Sequence, residues 1–322
     1  MNNLITLIGP TAVGKTSLSI EIAQKFNCEI ISGDSMQIYK NLDIGTAKVS
    51  KEEAKGIPHH LIDIRDPSDN YSVAEFKNAV QKSISTITYS KKLPLLVGGT
   101  GLYIQSVLYG YNFTQDHGST ELREKLAAFA EKYGNYSLHE KLNAVDASAA
   151  QNIHPNNVQR VIRAIERATL SNIGYNESSN SRSEDMLYNC SLIGLTMDRE
   201  ILYSRINQRV DIMVEKGLFE EARYLFENYP DSQAAKAIGY KEFFPYFNND
   251  IDRTTAIELV KKNSRNYAKR QMTWFRNKMP VEWFDVSQGL SNEIKEQIFN
   301  FIEGKMSIKS NLNNRDIEED KL

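Results

Sequence analysis

Cysteine is almost absent from this chain: Cys28 and Cys190 are its only thiols among 322 residues. Far apart and outside any metal-ligand spacing, they exclude a disulfide framework and a thiolate metal site, and both read as plain buried thiols. Histidine is scarce too, with five residues. The adjacent pair His59-His60 has no second cluster to complete a ligand set and reads as structural. No apolar run approaches the ~20 residues that span a bilayer, which excludes a transmembrane helix. The first apolar run begins at Leu4, leaving no room ahead of it for a signal peptide, so the expected location is the cytoplasm. Net charge is nearly missing as well, at −2, so no global field draws in a polyanion. What remains is 41% hydrophobic content over a length that fills one large core or two modest ones.

The strongest local signal is Gly9, Pro10, Thr11, Ala12, Val13, Gly14, Lys15 and Thr16, which follow the apolar run Leu4–Ile8 and match the G-x-x-x-x-G-K-[ST] phosphate loop. Its backbone N–H groups curl around a di- or triphosphate, Lys15 adds a point charge, and the Thr16 hydroxyl is placed to hold Mg²⁺. Leu18, Ile22 and Phe26 make the following segment an amphipathic helix, whose N-terminus adds its dipole to the anion site. By itself such a loop allows a nucleotide, ATP included. The second buried strand, Leu93–Val97, however, runs into Gly98-Gly99-Thr100-Gly101 without the carboxylate that a nucleotide hydrolase carries there. The carboxylate stands elsewhere, as Asp34-Ser35 after Glu29–Gly33, at a strand end on the same carboxyl edge. An anion cradle, a lone carboxylate and a hydroxyl suit transfer of a phosphorylated group to a neutral acceptor better than hydrolysis.

Alternation of short apolar runs and helical patterns predicts an α/β fold, a P-loop NTPase-like parallel sheet core. Strands are expected near Leu4–Ile8, Glu29–Ser32, Leu61–Ile64, Leu93–Val97 and Ser191–Thr196. Helices are expected at Ser17–Phe26, Val73–Thr88, Glu200–Lys216, Leu218–Asn228 and Thr255–Asn277. Between 111 and 190 only helical patterns occur, at Thr120–Tyr133, Ser137–Ala144 and Asn157–Leu170, followed by a polar stretch, which predicts an inserted all-helical domain. The core is then 1–110 with 191–285, and 286–322 is a C-terminal segment whose end, from Asn311, is expected to be disordered. Between Ile251 and Met279, eight basic residues face Asp252 and Glu258 alone. Ile257, Val260, Ser264, Ala268, Met272 and Phe275 form the inner stripe of that helix, leaving Lys262, Arg265, Lys269 and Arg276 as a basic ridge suited to a phosphate backbone. In the insertion, Val158, Val161, Ile162 and Ile165 form the core side of a helix carrying Arg160, Arg163 and Arg167, which either meet substrate or pair with Glu166 or Glu140.

Taken in order, the segments 9–16, Asp34-Ser35-Met36-Gln37-Ile38-Tyr39, Asp43–Lys48, Pro58–Asp63, Val97–Tyr103, His154–Asn157, Ala237–Glu242 and Lys269–Arg276 resemble the bacterial tRNA dimethylallyltransferases, also called tRNA isopentenyltransferases. The resemblance spans residues 4 to 285. It implies transfer of a dimethylallyl group from dimethylallyl diphosphate to the exocyclic amine of the adenosine 3′ of a tRNA anticodon, with Mg²⁺ as cofactor. It further implies that Asp34 takes the amine proton, that Lys15 and the loop stabilise the leaving diphosphate, and that Thr100 hydrogen-bonds near the scissile oxygen. For tRNA it implies Asp34, Ser35, Met36 and Gln37 lining the channel of the base, Gln159, Arg160, Val161, Ile162 and Arg163 reaching the anticodon stem-loop, and Arg123 near the substrate. Arg205 and Arg209 either close over the diphosphate or pair along their helix. Gly33 departs from the family pattern, where a small apolar residue precedes the aspartate, and is expected to loosen the strand end. The expected state is a monomer without membrane contact.

Two other readings stay open on the sequence. A small-molecule P-loop kinase would hold ATP in the loop and use Asp34 on a hydroxyl. A non-catalytic RNA-binding protein would keep the loop as a relic, against which an intact Lys15-Thr16 and Asp34 argue.

Overall fold

The computed structural model describes residues 2–111, 119–170, 183 and 185–307. They divide into two units, one comprising Met1–Leu108 with the chain from Met186 onward, the other Tyr109–Asp185.

In the first unit, Leu4, Ile5, Leu7 and Ile8 of β1 (Asn3–Ile8) are all fully buried. Apolar residues on both faces suit only a strand covered on both sides, the usual position in a parallel sheet. The partners are β2 (Cys28–Ser32), β3 (His59–His60), β4 (Leu93–Gly98), β5 (Asn189–Thr196) and β6 (Glu282–Asp285). They form one sheet in the order β3-β2-β4-β1-β5-β6, and every pairing is parallel. β1 lies at the centre, Ile5 level with Leu95 on one side and Ser191 on the other. Helix Lys15–Phe26 ends on Asn27 in the left-handed region, and helix Val73–Tyr89 starts in a capping box made by Ser72 and Glu75. The chain leaves β1 toward β2 and returns through β4 to the other side, so the strand order reverses beside β1. That reversal opens a crevice at the carboxyl edge, where parallel sheets hold ligands.

Three departures from the sequence reading stand out. The third strand is His59–His60, beside Ile30 and Ile31, and not Leu61–Ile64. Leu61 (φ 65°) and Asp63 (φ 57°) are left-handed, which ends extended geometry at once. Beyond residue 278 the chain adds the edge strand β6 and helix Asn292–Met306, whose Ile298, Phe299, Ile302 and Met306 join the main core. The polar stretch from 171 to 182 and the tail from Asn311 lie outside the described residues.

The second unit is helical, with Thr120–Tyr133, Asn135–Val145, Ala147–Asn152 and Val158–Leu170 packed around Leu126, Leu138, Leu142, Val161 and Ile162. Among the described residues no helix is long and apolar enough to cross a membrane.

Candidate active site

The phosphate loop connects β1 to helix Lys15–Phe26, and its path demands unusual backbone: Gly9, Gly14 and also Ala12 have positive φ. Lys15 Nζ donates to the carbonyls of Gly9 (2.9 Å) and Pro10 (2.7 Å), which holds the ammonium against the loop. Burial is the main reason its pKa falls to about 7; the charge of Arg209 pushes the same way and Asp34 opposes it. Thr16 is exposed at the start of the helix.

Asp34 stands two residues past the end of β2. Its Oδ1 accepts from the Met36 amide at 2.8 Å, an Asx turn that fixes the carboxylate and aims the rest of the 34–37 segment. The glycine before it does not loosen the strand end. Gly33 donates to the Val97 carbonyl at 2.7 Å and packs face to face with Gly98, where a Cβ on Gly98 would stand 2.5 Å from the Gly33 oxygen. Gly33 is therefore the residue that lets two strand ends close up.

The glycines after β4 have an equally concrete cause. A Cβ on Gly99 would collide with Gln271, and one on Gly101 with the ring of Trp274. Gln271, from helix Arg253–Lys278, donates to the Gly99 carbonyl and accepts from the Thr11 amide, both at 3.0 Å. One side chain thus straps the phosphate loop to the end of β4. Between them, the Thr100 hydroxyl is buried and makes no well-formed hydrogen bond among the described residues. The Tyr267 hydroxyl is its polar neighbour and is pushed up to about 12 by burial, so it stays protonated.

Two cavities meet at these groups. The larger, about 840 Å³, is lined by Gly14, Lys15, Thr16, Gly99, Arg205 and Arg209 among others. The smaller, about 300 Å³, is lined by Ser35, Met36, Gly45, Tyr240, Val260 and Arg270 among others. Asp34, Arg209 and Tyr267 face both. The Arg209 guanidinium has its pKa lowered by burial and drawn back up by Asp34, so the carboxylate at the partition is balanced by cations on the anion side. Sequence reasoning assigned no role to Gln271, Tyr240 or Tyr267, although Tyr240 and Gln271 lie in segments that carry the resemblance.

The arrangement suits a polyanion on one side of Asp34 and an uncharged, partly aromatic ligand on the other. A divalent ion in the larger cavity would find the oxygen donors Thr16 and Asp34 in its lining. That fits Mg²⁺, which keeps most of its waters and binds through substrate phosphates plus one or two protein oxygens, here Thr16.

In the helical unit the expected RNA contacts separate into two sets. Gln159, Arg160 and Arg163 are exposed, whereas Val161 (0%) and Ile162 (2%) are core side chains and cannot face a ligand. Their period on the helix puts them inward. Arg123 and Arg163 both pair with the buried Glu166, at 2.7 and 3.1 Å. Pairing along the unit is thus observed for both, while Arg163 keeps 60% of its side chain exposed.

On helix Arg253–Lys278 the exposed cations are Arg253, Lys262, Lys269, Arg270, Arg276 and Lys278. Arg265 is drawn in, donating to Asn207, and Lys261 pairs with Asp211 and Glu258. Gln271 takes a fully inward position in place of the expected Met272, which is half-buried.

Comparison with known proteins gives the family. The family model described as IPP transferase matches residues 37–278. A tRNA dimethylallyltransferase of Bacillus pumilus is 53% identical over 311 residues, 96% of this chain and 98% of that protein; one of Bacillus subtilis is 52% identical, over 96% of this chain and all of that one. Among solved structures, a tRNA isopentenylpyrophosphate transferase from Bacillus halodurans superposes with a TM-score of 0.73 at 46% identity, covering 95% of this chain and 97% of that chain. A eukaryotic dimethylallyltransferase acting on tRNA reaches a TM-score of 0.74 at 30% identity, over 89% and 74%. Matched by the family model over residues 37–278 and by these relatives over most of its length, the chain belongs to the IPP transferase family.

Proposed function

We propose that this chain transfers a dimethylallyl group from dimethylallyl diphosphate to the exocyclic amine of the adenosine 3′ of a tRNA anticodon, releasing diphosphate. The observation that carries the reading is Asp34 at the junction of an anion-lined cavity and a second, largely apolar one. In the larger cavity the loop amides, Lys15 and Arg209 would grip the diphosphate. As the allylic C–O bond breaks, its electron pair passes to the departing oxygen, and these groups stabilise charge that the ground state lacks. Thr100, a buried hydroxyl without a well-formed partner, is available to donate to that oxygen. Mg²⁺ bound at Thr16 would add further charge stabilisation to the diphosphate.

The acceptor enters from the smaller cavity. An adenine amine is a poor nucleophile because its lone pair is delocalised into the ring. Its lone pair forms the new C–N bond while its proton passes to the Asp34 carboxylate. Extruding a stacked base costs a few kcal/mol, which contacts to the anticodon loop, from Gln159, Arg160 and Arg163 in our reading, must offset. The test is direct: labelled dimethylallyl diphosphate with unmodified tRNA, followed by nucleoside mass spectrometry. Isopentenyladenosine supports the assignment; turnover of ATP onto a small molecule would replace it with a kinase.

Two expected results follow from the electrostatics. Lys15 is only partly charged near neutral pH, and a bound diphosphate favours its charged form. Below pH 7 the lysine carries its proton already; above it, binding must take one up. Donor affinity should therefore be full below about pH 7 and fall by up to about tenfold per unit above it. Titration calorimetry at pH 8 in two buffers of different ionisation heat should record close to one proton taken up; none would mean that Lys15 is already charged in the free protein, and the expected loss of affinity above pH 7 would fall with it.

The second concerns Lys262, Lys269 and Arg276, which recur every seven residues on one stripe and are exposed. Converting Lys262 and Lys269 to glutamine should weaken tRNA binding at low salt. The slope of log affinity against log salt should flatten by roughly 1.5 units, the share of two phosphate contacts. An unaltered slope in filter binding would make this stripe a merely solvated face.

A further inference from the structure

Glu221 lines neither cavity, yet its half-buried carboxylate is the most heavily used acceptor near the smaller one. Oε2 accepts from the amides of Asp43 (2.7 Å) and Ile44 (3.0 Å); Oε1 accepts from the amide of Gly45 (2.8 Å) and the hydroxyl of Tyr240 (2.7 Å). Successive backbone amides converging on one point form an anion nest, here filled by the protein's own carboxylate. The donors come from two separate pieces of chain; Gly45 and Tyr240 wall the smaller cavity, while Asp43 and Ile44 line the larger. They meet closely: a Cβ on Gly45 would stand 2.6 Å from the Tyr240 ring. Glu221 therefore joins helix Leu218–Asn228 to both walls at once.

The contact continues to the reacting carboxylate. Past Gly45, the carbonyls of Thr46 and Ala47 accept from Gln37 Nε2 (3.2 and 3.3 Å). Gln37 Oε1 in turn accepts from the Ser32 hydroxyl at 2.8 Å, and Ser32 Oγ accepts, at a long 3.4 Å, from the Asp34 amide. An unbroken chain of polar contacts thus runs from Glu221 to the backbone of Asp34. Glu221 touches no reacting atom; its reach is through others.

We propose that Glu221 is a positioning residue for the acceptor: it fixes the 43–47 loop and Tyr240 as the wall against which the base is seated, and through Gln37 and Ser32 it sets Asp34 where the amine proton is taken. The proposal rests on the transfer reading above. An error of about 1 Å in such an alignment costs about a hundredfold in rate; since Asp43, Ile44, Thr46 and Ala47 also line the larger cavity, donor binding should change too, but far less than transfer.

The test uses the full-length protein with Glu221→Ala, Glu221→Gln and Tyr240→Phe. Transfer kinetics are measured with tRNA, affinity for dimethylallyl diphosphate by calorimetry without tRNA, and amide exchange across residues 43–47 by mass spectrometry. Glu221→Ala should lower kcat/KM for tRNA by about a hundredfold, speed exchange in 43–47, and change donor affinity by no more than a few-fold. Glu221→Gln, whose amide oxygen still serves one pair of donors, should recover part of both, and Tyr240→Phe, which removes one donor of four, should lose least. Donor affinity falling in step with transfer, or unaltered kinetics in folded Glu221→Ala, would overturn the assignment. Should the alanine variant not fold, the glutamine variant decides between the same outcomes. Should the wild type fail to prenylate tRNA, the transfer reading falls, and faster exchange confined to 43–47 still supports the clamp while unchanged exchange overturns it.

Discussion

Asp34→Ala is expected to lower turnover by about 10²- to 10⁴-fold, the range a well-placed general base supplies, and to leave tRNA affinity within a few-fold. The Asx turn allows a sharper comparison. Asparagine keeps an oxygen that can accept from the Met36 amide, so Asp34→Asn preserves the geometry of 34–37 and loses only the ability to take a proton. Equal losses in the two variants, measured in single-turnover assays with saturating tRNA, assign Asp34 to proton transfer. An asparagine variant close to wild type would assign it to loop geometry alone.

Lys15→Ala is the second large effect, and it should fall on the donor. Removing a charged hydrogen-bond donor to the diphosphate withdraws about 1.5–3 kcal/mol, so donor KM should rise by about 10- to 100-fold with tRNA affinity unaltered. If Thr16 holds the ion as proposed, Thr16→Ala should raise the Mg²⁺ concentration needed for half-maximal rate, because the ion would lose that hydroxyl oxygen. Donor titrations at fixed tRNA over a magnesium series read both variants. Unchanged donor kinetics in both would take the phosphate loop out of the mechanism.

What could be read in the sequence was local. The phosphate loop announces itself because glycine, lysine and threonine at fixed spacing have few other uses, and Asp34 stands out as a carboxylate at a strand end. The inward period of Val161 and Ile162 was legible too, and it outweighs the family resemblance that spans the whole 159–163 segment. Leu61–Ile64 misled because a short apolar run gives no hint that two of its residues, neither of them glycine, turn left-handed. The stripe Ile294, Ile298, Ile302 behind the Ser291 cap was visible but lay next to a charged tail. Long-range partners were not legible. That Gly99 must be glycine depends on Gln271, 172 residues away, and Glu221 recognises three backbone amides, which carry no sequence identity at all.

The interrupted order of the sheet also dictates when the protein can become itself during synthesis. β1 is made well before its partner β5, which pairs Asn189 with Asn3, and the whole helical unit is translated in between. At about 5–20 residues per second, the central strand waits on the order of ten seconds or more with one edge unpaired, while the helical unit, which is contiguous, has all it needs to fold. Gln271, which ties the phosphate loop to β4, arrives later still. The inserted unit can therefore fold before the sheet is complete, the central strand gains its last neighbour late, and a nascent chain halted before β5 would present an open apolar sheet edge, an aggregation-prone state.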